Sequence, residues 1–232
     1  MREFAKILAL AALVGLATPV FADDAQPFSD AKEIDLTAIL APPPADDSAM
    51  TKAELGAVLT IQVTRTKEQS DRAIGDDAEE VWRFADVIDT PKFTKDSLPK
   101  FSAFFDRVIA TEGEVVDPAK KVWMRPRPYL YSDLVQPLLE KSKSGAYPSG
   151  HATVGMLMGI VLSNMVPEKR TAIMARALEF GENRIVAGMH FPSNIEAGRI
   201  SGSVIAEVIS THDDYKTEFE AAKTELRAAL GM

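Results

Sequence analysis

Tyr147-Pro148-Ser149-Gly150-His151 leads straight into Ala152-Thr153-Val154-Gly155-Met156-Leu157-Met158-Gly159-Ile160-Val161-Leu162, the most apolar stretch after residue 22. The run stops before Pro167. It falls short of the roughly 20 apolar residues that a bilayer span needs. Being apolar on every side, it predicts a helix buried at the centre of a domain. Gly155 and Gly159 lie one turn apart, which lets a neighbouring helix approach closely. Ser149 is a good N-cap. The free N–H groups of the first turn and the positive end of the helix dipole form an anion cradle, with His151 at its edge. Taken alone, the Ser-Gly-His tripeptide reads equally well as a capped helix followed by an ordinary histidine.

Outward from this helix the 3.6-residue period dominates. Leu55, Val58, Leu59 and Val63 recur at helical spacing, as do Val81, Phe84, Ala85 and Ile88, and Phe101, Phe104, Phe105, Val108 and Ile109. Strand alternation bounded by turn pairs is nearly absent. The expected fold is therefore all-α, a single compact helical domain over residues 48–232 around the buried central helix. Pro91, Pro99, Pro118 and Pro128 are expected to punctuate the helices. A further helix is expected from about Lys169 to Gly188. Ser193-Asn194-Ile195-Glu196 has a capping-box pattern, with Ser193 as N-cap and Glu196 at N3. The charged tail from Tyr215 to Leu230 predicts a final surface helix. Residues 23–47, with Ala41-Pro42-Pro43-Pro44-Ala45, read as a Pro-rich irregular leader, either a flexible linker or a segment laid over the domain.

The chain has 232 residues, a formal net charge of -8 and no Cys. Such a balance does not attract nucleic acid or an anionic membrane, so a polyanionic partner needs a local basic pocket. Stability cannot come from disulfides. Met1 to Lys6 is a short basic start, Ile7 to Val20 is mostly apolar, and Val20-Phe21-Ala22 offers compact residues for cleavage. Residues 1–22 therefore read as a signal peptide cut after Ala22, which predicts a periplasmic or secreted protein.

Two further settings carry candidate chemistry. In Arg184-Ile185-Val186-Ala187-Gly188-Met189-His190-Phe191-Pro192, Gly188 can end a helix and Pro192 can prepare the next. His190 then lies in the turn between them and can point back toward Arg184; the alternative is a surface loop histidine. Lys120-Lys121-Val122-Trp123-Met124-Arg125-Pro126-Arg127-Pro128 is basic within an acidic protein. Arg matches phosphate bidentately and Lys adds a point charge, although a charge run is usually a solvated patch. Only three His exist, and His212 reads as an exposed residue without a role. No His/Cys cluster has metal-ligand spacing, so neither a metal nor another cofactor is expected.

Taken together in order, Lys120-x6-Arg127-Pro128, Pro148-Ser149-Gly150-His151 and Arg184-x5-His190 resemble the three-part signature of the superfamily of type 2 phosphatidic acid phosphatases and vanadium haloperoxidases. The closer likeness is to the class A bacterial non-specific acid phosphatases. It extends over nearly all of the chain after residue 22 and includes Ala197-Gly198-Arg199. The resemblance implies that Lys120, Arg127 and Arg184 bind the non-bridging oxygens of a phosphate monoester, with Ser149 and the Gly150 N–H completing the cradle. It implies that His190 attacks phosphorus and that His151 protonates the leaving alcohol, without a metal. It also implies a small-molecule ester as partner, no membrane span and the option of a homodimer. Two positions depart from the pattern. Asn183 stands where the family has Ser, and Asn194 where it has the Asp that serves the nucleophilic histidine. Glu179, Glu182 and Glu196 are the carboxylates that could stand in. The rival readings are a phosphate-binding relative that has lost turnover, and a vanadium-dependent haloperoxidase, against which the short chain argues.

Overall fold

The computed structural model describes residues 25–232. The expected signal peptide and its cleavage point lie outside the described residues. Ten α-helices follow one another among them: α1 (Leu36–Ile39), α2 (Ala49–Thr64), α3 (Lys67–Gly75), α4 (Ala85–Ile88), α5 (Pro99–Trp123), α6 (Pro128–Tyr131), α7 (Gly150–Met165), α8 (Arg170–Val186), α9 (Pro192–Ile209) and α10 (Asp213–Leu230). Short 3-10 turns occupy Val81–Phe84 and Pro167–Lys169. No strand occurs among the described residues, and none of their helices is long and apolar enough to cross a membrane.

The apolar stretch that follows Ser149 becomes α7, and nearly all of it is buried. It packs mainly on α8 and α9, with α5 along another side. Gly155 faces the Phe180 ring and Gly159 faces Ala177, so both glycines let α8 approach. Gly198 and Gly202 do the same on α9, where an added Cβ would fall 2.6 Å from the Ser149 carbonyl oxygen and 2.4 Å from that of Thr153. Phe101, Phe104 and Phe105 of α5 join Leu157, Val161, Phe180, Ile205 and Leu226 in the core. Burying each such side chain stabilises by about 1.5–3 kcal/mol. The tail helix α10 closes over α5 through Tyr215, Ala222 and Leu226.

Several expectations are corrected. Pro118 does not punctuate a helix: α5 runs through it to Trp123. The Glu114 carbonyl that lacks its usual donor belongs to an exposed residue, so water can serve it. The period over residues 81–88 yields only a 3-10 turn and the single turn of α4. Ser193 is not an N-cap, because α9 already begins at Pro192. The N3 side chain is that of Asn194, whose Oδ1 accepts from the Phe191 N–H at 2.8 Å, and Glu196 plays no such part. Pro192 at the first helical position explains the earlier start, since its missing N–H costs nothing there.

Of the two readings of the leader, the segment laid over the domain is the one found, and it is not irregular throughout. It carries α1, capped by Asp35, and buries Phe28, Ile34, Leu36 and Leu40. His212 is not a loose surface residue either. It precedes α10, and its ring nitrogens lie 3.0 Å from the Phe28 carbonyl oxygen and 3.0 Å from Glu33 Oε1.

Candidate active site

Three chain segments converge at the N-terminal end of α7. The last turn of α5 supplies Lys120, and Met124, with φ of 43°, ends that helix in a left-handed residue. The chain then turns through Arg125 and Arg127 into α6. Arg127 is buried, with Nε 3.1 Å from the Ser144 carbonyl oxygen, Nη2 3.1 Å from Ser144 Oγ and Nη1 3.0 Å from His190 Nε2. Arg125 serves the scaffold instead. Its guanidinium pairs with Glu54 at 2.9 Å, donates to Ser193 Oγ at 2.6 Å and stacks on Phe191. The basic stretch is thus part cleft and part framework.

Arg184 arrives from the last turn of α8. Gly188, with φ of 73°, turns the chain so that His190 sits between α8 and α9. His190 is only 2% exposed. An arginine can only donate, so Nε2 accepts and the neutral ring carries its proton on Nδ1. Burial, then the charges of Arg127, Arg184 and Lys120, hold the imidazole well below its ordinary titration range. A neutral ring with its Nε2 lone pair turned toward cations is a nucleophile ready for an anionic electrophile.

The resulting cleft encloses about 400 Å³ and is lined by Lys120, Arg127, Gly150, His151, Arg184 and His190, together with acidic groups. Gly150 is confined from two sides: a Cβ there would lie 2.7 Å from Glu112 Oε1 and 2.9 Å from Lys120 Nζ. Two expected site residues stand behind the cleft. Ser149 is fully buried, and its Oγ accepts from the Ala152 N–H at 3.3 Å as the α7 cap. Asn194 is fully buried too. Its Oδ1 is taken by Phe191, while its Nδ2 and the His190 Nδ1 both lack partners. The carboxylates considered as replacements do not reach His190: Glu179 pairs with Arg72 and Arg176, and Glu182 and Glu196 with Arg199. Asn183 donates to Asp76 at 2.7 Å in a buried cluster with Arg176.

The sequence reading missed three carboxylates. Asp77 Oδ1 accepts from Arg184 at 3.0 Å, and Glu79 Oε1 lies 2.8 Å from His151 Nδ1. Glu112 lies buried beneath Gly150, where burial, then the nearby Glu79 charge, pushes its carboxyl up to about 8. A signal for each existed. Asp76-Asp77-Ala78-Glu79-Glu80 interrupts the helical period, and Glu112 falls on the apolar face of α5 four residues after Val108.

Residues 107–218 match the PAP2 superfamily, a span that contains every cation and histidine of this cleft. These residues form a PAP2 superfamily domain. The chain is 34% identical over 140 residues to an acid phosphatase of Zymomonas mobilis, covering 57% of itself and 52% of that protein. It thus spans about half the length of that relative. It is 29% identical over 210 residues to a non-specific acid phosphatase of Providencia stuartii, covering 84% of itself and 82% of that protein. A non-specific acid phosphatase of Salmonella typhimurium is 27% identical over 214 residues, with 88% and 86% covered. Two solved structures share the fold at low identity. A bacterial vanadium-dependent iodoperoxidase superposes with a TM-score of 0.58 at 19% identity, over 73% of this chain and 51% of that one. A transmembrane PAP2-type phosphatidylglycerolphosphate phosphatase of Bacillus subtilis gives 0.52 at 18%, over 77% and 90%.

Proposed function

We propose that this PAP2 phosphatase hydrolyses small phosphate monoesters through a phosphohistidine on His190, with His151 as proton donor. The observation that carries the reading is the Arg127–His190 contact. A buried, neutral imidazole points its lone pair at the guanidinium that an incoming phosphoryl group would engage. On binding, Arg127, Arg184 and Lys120 take the non-bridging oxygens, and the N–H groups opening α7 add their dipoles. Nε2 of His190 then forms the N–P bond as the ester P–O bond breaks, and His151 protonates the departing oxygen. Water, deprotonated by His151, cleaves the N–P bond and returns the electron pair to His190. Positive charge comes from the three cations, so no metal is needed for this chemistry.

The test is alkali-quenched protein probed for phosphohistidine during turnover of p-nitrophenyl phosphate, with and without EDTA. Wild type should accumulate or turn over a base-stable phosphoprotein regardless of chelator, and His190→Ala should form none. A phosphoprotein in His190→Ala, or turnover that needs a divalent ion, would overturn the reading. A second reading has one observation in its favour. With Asn194 in place of a carboxylate and Nδ1 of His190 bare, a phosphate-binding relative would hold inorganic phosphate yet form no phosphoprotein. The proposal also includes export with cleavage after Ala22, read as an intact mass that begins at Asp23; Met1 on the mature protein would count against it.

A further inference from the structure

We propose that Glu79 is a positioning residue for the proton donor: its carboxylate fixes the His151 ring so that Nε2–H is the proton passed to the leaving oxygen. The inference rests on the reading of His151 as proton donor.

Glu79 belongs to the acidic segment between α3 and the 3-10 turn at Val81–Phe84, a segment to which neither the sequence signature nor the family match gives a role. Three contacts fix the donor ring. Glu79 Oε1 lies 2.8 Å from Nδ1, the Asp77 carbonyl oxygen lies 3.1 Å from Nε2, and the Phe180 ring stacks at 6.1 Å with a 19° interplanar angle. A carbonyl and a carboxylate both only accept, so both ring nitrogens carry protons and His151 is an imidazolium. Burial pushes the Glu79 carboxyl up, but the His151 hydrogen bond and the charges of His151, Lys120 and Arg184 outweigh it and hold Glu79 ionised.

The contrast with the nucleophile gives the contact its meaning. His190 Nδ1 has no partner, and the neighbouring Asn194 carries no charge. Among the described residues, the carboxylate–imidazole pair of this cleft therefore belongs to the donor and not to the nucleophile. Its role in the reaction is orientation and loading. As the His190 Nε2–P bond forms and the ester P–O bond breaks, the electron pair goes to the leaving oxygen. The Nε2 proton of His151 moves to that oxygen, and the ring becomes neutral. The Nδ1 proton stays between the ring and Glu79 throughout. On hydrolysis Nε2 regains a proton from water, and the same carboxylate stabilises the imidazolium that re-forms.

The test uses two esters. An alkyl phosphate such as glycerol 2-phosphate needs its leaving oxygen protonated, whereas p-nitrophenoxide departs without much help. The measured quantity is kcat/KM, which reports the step that breaks the ester bond. Glu79→Gln and Glu79→Ala should lower kcat/KM for the alkyl ester by about tenfold or more but for p-nitrophenyl phosphate by less than about threefold. Inhibition by inorganic phosphate should stay within about twofold, because the cations are untouched. Glu79→Asp should recover part of the alkyl-ester rate. An equal loss on both esters, or no loss, would overturn the assignment. Failure of the underlying reading shows differently, as a His151→Ala variant that keeps its alkyl-ester rate. If His151→Ala loses that rate and the two esters still respond alike in the Glu79 variants, only the role of Glu79 falls.

Discussion

At the scale of single residues, the site turns on one missing charge. Asn194 spends its oxygen on the Phe191 N–H, and its Nδ2 finds no acceptor. Asn194→Asp keeps the acceptor for Phe191 and replaces the idle amide by an oxygen that can serve His190 Nδ1–H. The carboxylate acts on the imidazolium formed during attack, so kcat should rise, by about tenfold or more if the full effect of such a pair is recovered. Inhibition by phosphate should change less than about threefold, since the new charge touches no phosphate ligand. Unchanged or lower kcat in a folded variant would show that His190 does not need this partner. The cations and both histidines were legible in the sequence, because their spacing reproduces a known signature. Asp77, Glu79 and Glu112 were not. An acidic run between helices ordinarily faces water, and only tertiary contact turns it toward a histidine and an arginine. Ser149 was legible as a cap, and it caps.

At the scale of elements, the cleft is built on a helix end that tolerates no side chain. Gly150 opens α7 between Glu112 and Lys120. Gly150→Ala adds a methyl that the buried Glu112 cannot avoid and that the flexible Lys120 ammonium can. The lysine should swing away from the cleft. Losing one charge-assisted contact should raise the inhibition constant for phosphate by roughly tenfold. Stability should fall, because the clash with the buried Glu112 outweighs the about 0.5–1 kcal/mol by which Ala suits a helix better than Gly. Unchanged phosphate inhibition would mean that Lys120 does not bind the anion. The long apolar and amphipathic helices could be read from periodicity, and the end of α7 from Pro167. The passage of α5 through Pro118 could not, because it depends on which side of the helix faces water. The start of α9 was misplaced because Ser193 looks like a cap, while Pro192 had already begun the turn.

At the scale of the whole molecule, buried ionisable groups shape stability against pH. Glu112 titrates near 8 in the fold against an ordinary 4.5, so the folded state holds a proton that the unfolded chain releases. Its contribution is full below about pH 4.5 and is lost as pH rises through 8. His190 acts oppositely. Its folded value lies well below 6.5, so the unfolded chain binds the proton first, and stability falls as pH drops below 6.5. The two trends offset each other between 4.5 and 6.5, and above 6.5 only Glu112 acts. Melting temperature should therefore decline from pH 6.5 to 8. Glu112→Gln should flatten that decline and raise stability at pH 8 by a few kcal/mol, with little change at pH 4.5. The size follows from about 1.4 kcal/mol for each pH step that separates the folded titration from the unfolded one. Melting curves from pH 4 to 9 check this, and a decline that persists in the variant would place its origin elsewhere.

The His212 contact has a consequence for the order in which the molecule can be assembled. Its ring holds Phe28 and Glu33, across a sequence separation of 184 residues to Phe28, and Phe28 also packs on Tyr215 of α10. A growing chain has nothing to close this clasp with until its final helix has been synthesised. Phe28 also meets Phe104 and Thr111 of α5, so the leader can dock on α5 first and the clasp closes last. Such end-to-end pairing lengthens the loops that must close before contacts reward them and slows the last stage of folding. Once closed, it leaves residues 28–33 and α10 each shielding the other, so that fraying of either end exposes both.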